Sequence, residues 1–167
     1  MTIAVDDLDA RIIEVFAAEP RVGVLECSRR LGVARGTVQA RLDRMGREGV
    51  IRGWGPQLDP AAIGYGVTAF ATLEISQGEG HDAVARHLAS IPEVLEAHTI
   101  TGSGDLIARV VARSNADLQR VIDRLVAAPG IVRTSTVIAL ATQVSPRELP
   151  LLRAAVAAAR GQDPGPG

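Results

Sequence analysis

Apolar positions along this chain recur at two spacings, and the change from one to the other divides it. From Asp6 to about Arg52 they fall three and four apart. Leu8, Ile12, Val15 and Phe16 predict a first helix, with Asp6 or Asp7 as its cap and Glu19-Pro20 as its stop. Val24, Cys27 and Leu31 mark a second, short helix ended by Gly32; Val38, Leu42 and Met45 mark a third ending near Gly49. Val50 and Ile51 then open an extended segment interrupted by Gly53, Gly55 and Pro56, and residues 53–66, rich in Gly and Pro, read as a hinge.

Beyond the hinge the spacing becomes two. Val67, Ala69, Ala71, Leu73 and Ile75 alternate onto one face of a strand. Residues 81–90 follow as a helix with Val84 and Leu88 inward, 94–100 and 106–112 as strands. Next come a helix over 116–127 with Leu118, Val121, Ile122 and Leu125 inward, stopped by Pro129-Gly130, and a last strand over 132–141. The order β-α-β-β-α-β is that of a ferredoxin-like sheet. Ser145-Pro-Arg-Glu148 reads as a capping box opening a helix through Arg160, whose Leu149, Leu152 and Val156 predict a docked face; 161–167 reads as a disordered tail. The expected division is a helix-turn-helix unit over 1–52, a linker over 53–66, a ferredoxin-like domain over 67–144 and a C-terminal helix and tail over 145–167. The fold class is α+β.

Composition narrows the chemistry. A chain of 167 residues makes one domain or two small ones, and 47% hydrophobic residues suffice for a packed core. Its aromatics are Phe16, Trp54, Tyr65 and Phe70, too few for a platform that stacks unpaired bases. Cys27 is the only cysteine, and His81, His87 and His98 lack ligand spacing, so no metal site, cofactor or catalytic group is expected. Met1 to Asp7 lacks the basic and apolar stretches of a signal peptide, and no apolar run approaches the roughly 20 residues of a membrane span. A cytoplasmic protein without a membrane partner is the expectation.

The net charge of −1 hides a local excess. Between Ser28 and Arg52 lie Arg29, Arg30, Arg35, Arg41, Arg44, Arg47 and Arg52 against Asp43 and Glu48, seven minus two, or +5. All 18 basic residues are arginine, the side chain suited to bidentate phosphate contacts. Two short helices joined at Gly32 form a helix-turn-helix whose second member can enter a major groove. A helical wheel puts Val38, Leu42 and Met45 on the core side and Gly36, Ala40, Arg44 and Arg47 opposite, with Thr37 beside them and Arg35 and Gln39 near the exposed start. Thr37 and Gln39 suit base edges, and Arg29, Arg30, Arg41 and Arg44 suit phosphates. An arginine-rich solvated helix with no ligand shares this periodicity; the turn spacing and the charge cluster favour double-stranded DNA.

Along most of its length the chain resembles the Lrp/AsnC (leucine-responsive/asparagine-synthase regulator) family. The resemblance is carried by Leu8-Asp9-Ala-Arg-Ile-Ile13, Ser28-Arg-Arg-Leu-Gly-Val33, Thr37-Val-Gln-Ala-Arg-Leu42 and Glu48-Gly-Val-Ile51, then by Leu58-Asp59-Pro60 and Ile63-Gly64-Tyr65. Pro92-Glu-Val94, Thr101-Gly102-Ser-Gly-Asp105 and Pro129-Gly-Ile-Val-Arg-Thr134 continue it, so that it extends from Asp6 to Thr142. Two positions depart: Ala34 stands where the family usually has the Ser that caps the recognition helix, and Cys27 where it usually has Leu. The first removes a cap worth about 1 kcal/mol.

The resemblance implies a winged helix-turn-helix followed by a ferredoxin-like domain that senses a small, amino-acid-like effector and dimerises, with assembly into octamers in many members. It places the effector at Thr101, Gly102, Ser103, Gly104 and Asp105, with Gly130, Thr134 and Thr136. The residues themselves suit a zwitterion, since glycine amides can approach a carboxylate and Asp105 can pair with an ammonium. A glycine-rich hairpin turn with Asp105 bonded to backbone is the competing reading. Two other functions stay open on this evidence: a sirohaem decarboxylase of the same two-domain architecture, and an architectural DNA-binding protein without effector. Gly64-Tyr-Gly66-Val-Thr-Ala69 matches a dinucleotide fingerprint but precedes a strand instead of opening a helix, so it is set aside. His98 reads as a core or interface residue and Trp54 as a wedge between domains or subunits.

Overall fold

The computed structural model describes residues 5–76 and 81–161, so the expectations for the first four residues and for 162–167 lie outside the described residues. In chain order the elements are α1 (Asp7–Ala18), α2 (Val24–Leu31), α3 (Arg35–Arg47), β1 (Val67–Ile75), α4 (His81–Ala89), β2 (Val94–Thr99), β3 (Leu106–Ala112), α5 (Asn115–Val126), β4 (Ile131–Ala139) and α6 (Leu149–Gly161). They fall into two compact units: Met1–Pro56 with Val144–Gly167, and Gln57–Gln143.

In the first unit, Asp6 rather than Asp7 caps α1. Its carboxylate accepts the Asp9 amide at 2.9 Å and the Asp9 carboxylate accepts the Asp6 amide at 3.0 Å, closing a reciprocal box over amides that the first helical turn leaves unsatisfied. Gly32 ends α2 in the left-handed region (φ 68), where a side chain would be strained, and α3 starts three residues later. Ala34 caps α3 without a side-chain bond. Ile12, Cys27, Val38, Leu42 and Met45 meet in the centre, so each of the three helical stripes read from the sequence turns inward. Residues 48–59, where a wing is expected, contain no strand.

The C-terminal helix starts later than its motif suggested. Ser145 to Glu148 is not helical, and the first bond runs from the Leu152 amide to the Glu148 carbonyl. Pro150 explains the shift. A start at Ser145 would put it at the fifth helical position, where it has no N–H to donate and its ring meets the carbonyl of Pro146; a start at Leu149 leaves it in the first turn, where no donor is needed. The docked face does form: Val156 is buried, Arg153 bonds Glu14 of α1 at 2.6 Å and Arg160 pairs with Asp7.

The second unit is a four-stranded antiparallel sheet in the order β2-β3-β1-β4. Ala69, Ala71 and Leu73 of β1 and Leu106, Ala108 and Val110 of β3 share one face with Val84 and Leu88 of α4 and Leu118, Val121 and Leu125 of α5. Fully burying a leucine or valine here contributes about 1.5–3 kcal/mol each. This is the ferredoxin-like arrangement expected, with boundaries within about two residues of those read from periodicity. Ser114 caps α5 by accepting the Asp117 amide at 3.1 Å. The opposite face of the sheet carries Phe70, Arg109, His98 and Val137, and no described helix of this unit packs there.

Candidate nucleic-acid interface and effector recess

The inward stripe Val38, Leu42 and Met45 decides which side of α3 faces out. Arg35, Gly36, Thr37, Gln39, Ala40, Asp43 and Arg47 are exposed, so glycine and alanine leave room for close approach between longer polar side chains. Arg35 and Arg47 stand at the two ends of α3, and among the described residues neither has a carboxylate in ion-pair range. The Gln39 amide nitrogen donates to Asp43 at 2.8 Å. Such an exposed pair one turn apart is worth only a few tenths of a kcal/mol, so Gln39 is readily released to another acceptor.

Arg41 and Arg44 are placed differently from the wheel's expectation. Both are half-buried on the flank of α3 that meets α1: Arg41 bonds Asp6 and, at 3.1 Å, Asp9, while Arg44 bonds Asp9 and lies 3.6 Å from Glu48. Asp9 is fully buried. Partial burial works against ionisation of Asp6, but the Asp9 amide and the Arg41 guanidinium outweigh it and hold the carboxyl below its ordinary range. The same bonds hold both guanidinium pKa values above their usual level. On α2, Arg30 pairs with Glu19 at 2.8 Å and Glu26 at 3.0 Å, and Arg29 lies 4.0 Å from Glu26. Arg52 lies 3.8 Å from Glu148. The +5 excess of the linear segment is therefore largely offset in space by carboxylates that lie outside it in sequence.

Trp54 packs edge-on against Phe16 within this unit, with ring centres 5.1 Å apart. Together with Val24, Gln39, Leu42 and Asp43 these rings line a recess of about 210 Å³ beside α3. Cys27 is buried against the same core, and burial pushes its thiol pKa up. His98 is an exposed residue of β2, 3.9 Å from Glu96, rather than a core residue.

In the second unit, the turn between β2 and β3 closes against β1. The Asp105 amide donates to the Leu73 carbonyl at 2.9 Å, and one Asp105 carboxylate oxygen accepts the Ile75 amide at 2.7 Å, beside the register shift of β1 against β4. Asp105 thus bonds backbone, as the turn reading held, and keeps its second oxygen. Gly104 is required by proximity: a Cβ there would sit 2.4 Å from the Thr72 methyl and 3.3 Å from the Leu73 carbonyl oxygen. Gly102 has φ 113, a conformation that side chains disfavour. Gly102, Ser103, Gly104 and Asp105 line an open recess of about 440 Å³ with Glu74, Ile75 and Val132.

The other four expected residues do not line it. Thr101 is an exposed turn residue, and the Gly130 carbonyl accepts the Ser76 amide where the chain enters β4. Thr134 pairs with Leu73 and Thr136 with Ala71, so strand alternation turns their side chains to the helix-covered face, where both hydroxyls are buried without a partner. Sequence reasoning missed Glu74, Ile75 and Val132. The alternation of β1 exposes Glu74, but nothing local in the sequence announces that the β2–β3 turn folds over it.

Residues 5–45 match the AsnC-type helix-turn-helix domain and residues 68–149 the Lrp/AsnC ligand binding domain. The HTH-type transcriptional regulator FL11 of Pyrococcus furiosus is 30% identical over 146 residues, 87% of this chain and 96% of its own. This chain belongs to the Lrp/AsnC family. Its structure resembles that of Escherichia coli AsnC with a TM-score of 0.81 at 28% identity, covering 89% of this chain and all of that one. A second Lrp/AsnC neighbour, the feast or famine regulatory protein of M. tuberculosis solved with L-methionine, superposes with a TM-score of 0.76 at 27% identity over 86% of this chain and 97% of that one. The named Lrp/AsnC relatives are transcriptional regulators, and this chain is a DNA-binding transcriptional regulator rather than an enzyme. No described helix is long and apolar enough to cross a membrane.

Proposed function

We propose that this regulator reads operator DNA with the exposed face of α3 and that an amino-acid-like effector, held in the Gly102–Asp105 recess, alters that binding. The observation that carries the reading is the outward face itself: Thr37 and Gln39 as hydrogen-bonding side chains for base edges, flanked by Gly36 and Ala40, with Arg35 and Arg47 at the helix ends for phosphate. Arg29 of α2, exposed and only distantly paired, adds a phosphate contact. A homodimer presents two copies of α3 to half-sites related by two-fold symmetry, and octamers extend the same contacts.

For the effector, the amides of Gly102, Ser103 and Gly104 have no acceptor among the described residues and suit a carboxylate. Glu74 and the second oxygen of Asp105 suit an ammonium, and Val132 an apolar side chain. A methionine complex of a relative supports this ligand class. The effector acts only so far as it binds one assembly state more tightly than the other.

Gel-shift titration tests the DNA part. Arg47→Ala weakens binding to every duplex and flattens the salt dependence by about 0.9, the share of one phosphate, whereas Thr37→Ala lowers discrimination between sequences by about 1–3 kcal/mol. Unchanged affinity and salt dependence in Arg47→Ala would refute the placement of α3. For the effector, a thermal-shift screen of the amino acids tests the recess, since a ligand at 100 times its Kd stabilises by about 2.7 kcal/mol. A flat response to all of them leaves the effector-independent architectural reading in place.

A further inference from the structure

Asp9 places its carboxylate between two elements. Fully buried, it accepts the Asp6 amide, the Arg41 guanidinium at 3.1 Å and the Arg44 guanidinium, while Asp6 takes a second bond from Arg41. Arg41 and Arg44 lie three residues apart on one flank of α3 and both reach the N-terminus of α1. The bonds therefore set the rotation of α3 about its own axis, and with it the direction in which Thr37 and Gln39 point. They also occupy two of the seven arginines between Ser28 and Arg52. A buried carboxylate is tolerated only while it is paired. Moving either guanidinium onto a phosphate would strand the Asp9 charge, so the exchange brings no gain.

We propose that Asp9, supported by Asp6, is a specificity-determining residue that withholds Arg41 and Arg44 from the DNA backbone. Phosphate contacts add affinity without regard to sequence, and each makes the salt dependence steeper by about 0.9. Keeping two such groups out lowers binding to random DNA while leaving the base-reading side chains in place. The protein thereby gains discrimination rather than strength. This rests on the reading of α3 as the groove-facing helix.

The full-length protein is titrated, at several salt concentrations, against a random-sequence duplex and against a duplex that the wild type selects from a random pool. Asp9→Asn, which keeps the side chain's size, is expected to raise affinity for the random duplex several-fold, steepen its salt dependence by up to about 1.8 and lower the selected-to-random ratio. Adding Arg41→Gln and Arg44→Gln to that variant returns the salt dependence to the wild-type value. A purely structural Asp9 would lower stability and move neither quantity. In the wild-type background, Arg41→Gln and Arg44→Gln leave the salt dependence unchanged, a measurement that stands even where Asp9→Asn fails to fold. A flatter salt dependence in either of these, or an unchanged one in a folded Asp9→Asn, overturns the proposal. If Arg47→Ala responds while the Asp9 variant does not, this inference fails alone; if Arg47→Ala is also silent, the reading of α3 fails with it.

Discussion

Among the described residues, the helical unit closes around five buried apolar side chains and one fully buried carboxylate, whereas the sheet unit closes around thirteen apolar residues drawn from three strands, two helices and the turn after α4. In the first, ion pairs connect the elements: Asp6 and Asp9 join α1 to α3, and Glu14 and Asp7 join α1 to α6. In the second, the candidate site is built mostly from backbone, with glycines where side chains would collide. The difference explains why charge patterning is a poor guide to function in one unit and glycine patterning a useful one in the other. An arginine can serve either the fold or a ligand, but a glycine pressed against a neighbouring strand has no alternative.

The comparison can be broken most decisively in the cores. Leu125→Ala and Met45→Ala each cost about 2–5 kcal/mol. Trp54 belongs to the helical unit, so its fluorescence reports that unit alone during urea unfolding. Met45→Ala is expected to shift the Trp54 midpoint, and Leu125→Ala to shift far-ultraviolet dichroism while leaving that midpoint in place. Coincident shifts in both variants would mean that the units unfold as one.

A smaller effect is expected at the recess. Gly104→Ala forces its Cβ against the stiff, β-branched Thr72 and costs about 1–3 kcal/mol. It also removes any amino-acid-induced thermal shift, because the turn moves off β1. Wild-type stability in this variant would show that the turn yields freely.

Ala34→Ser should restore the missing cap of α3 and stabilise the helical unit by about 1 kcal/mol, visible as a raised Trp54 midpoint. The smallest effect is acid dependence. Asp6 is held below the ordinary carboxylate value of 3.8 in the folded protein, so its bonds stabilise the fold fully above that pH and are lost as pH falls through the lower folded value. Because Asp6 is half-exposed, solvent screens the contribution. Asp6→Asn is expected to flatten the fall in the Trp54 midpoint below pH 3.8, and an unaltered fall would deny Asp6 that role.

Several features were legible in the sequence because their causes are local. Apolar spacing gave every helix and strand of the described residues to within a few residues, and Gly32 announced the turn that its left-handed backbone requires. The start of α6 was misplaced because the capping-box pattern outweighed Pro150, whose missing donor decides the matter. Arg41 and Arg44 were misjudged because their carboxylate partners lie more than 30 residues away, beyond the reach of a helical wheel. Thr134 and Thr136 sit in the strand expected for them, but the face they share was set by pairing with β1.

Chain order and periodicity alone determined the two-part architecture and the exposed side of α3, since hydrophobic burial selects an inward stripe whatever surrounds it. What tertiary structure decided was which polar groups remain available: the Asp9 carboxylate captured two arginines, and β1 met the Gly102–Asp105 turn to form a recess. Both outcomes depend on Coulombic and steric contacts between distant segments, which take effect only when folding brings those segments within a few ångströms.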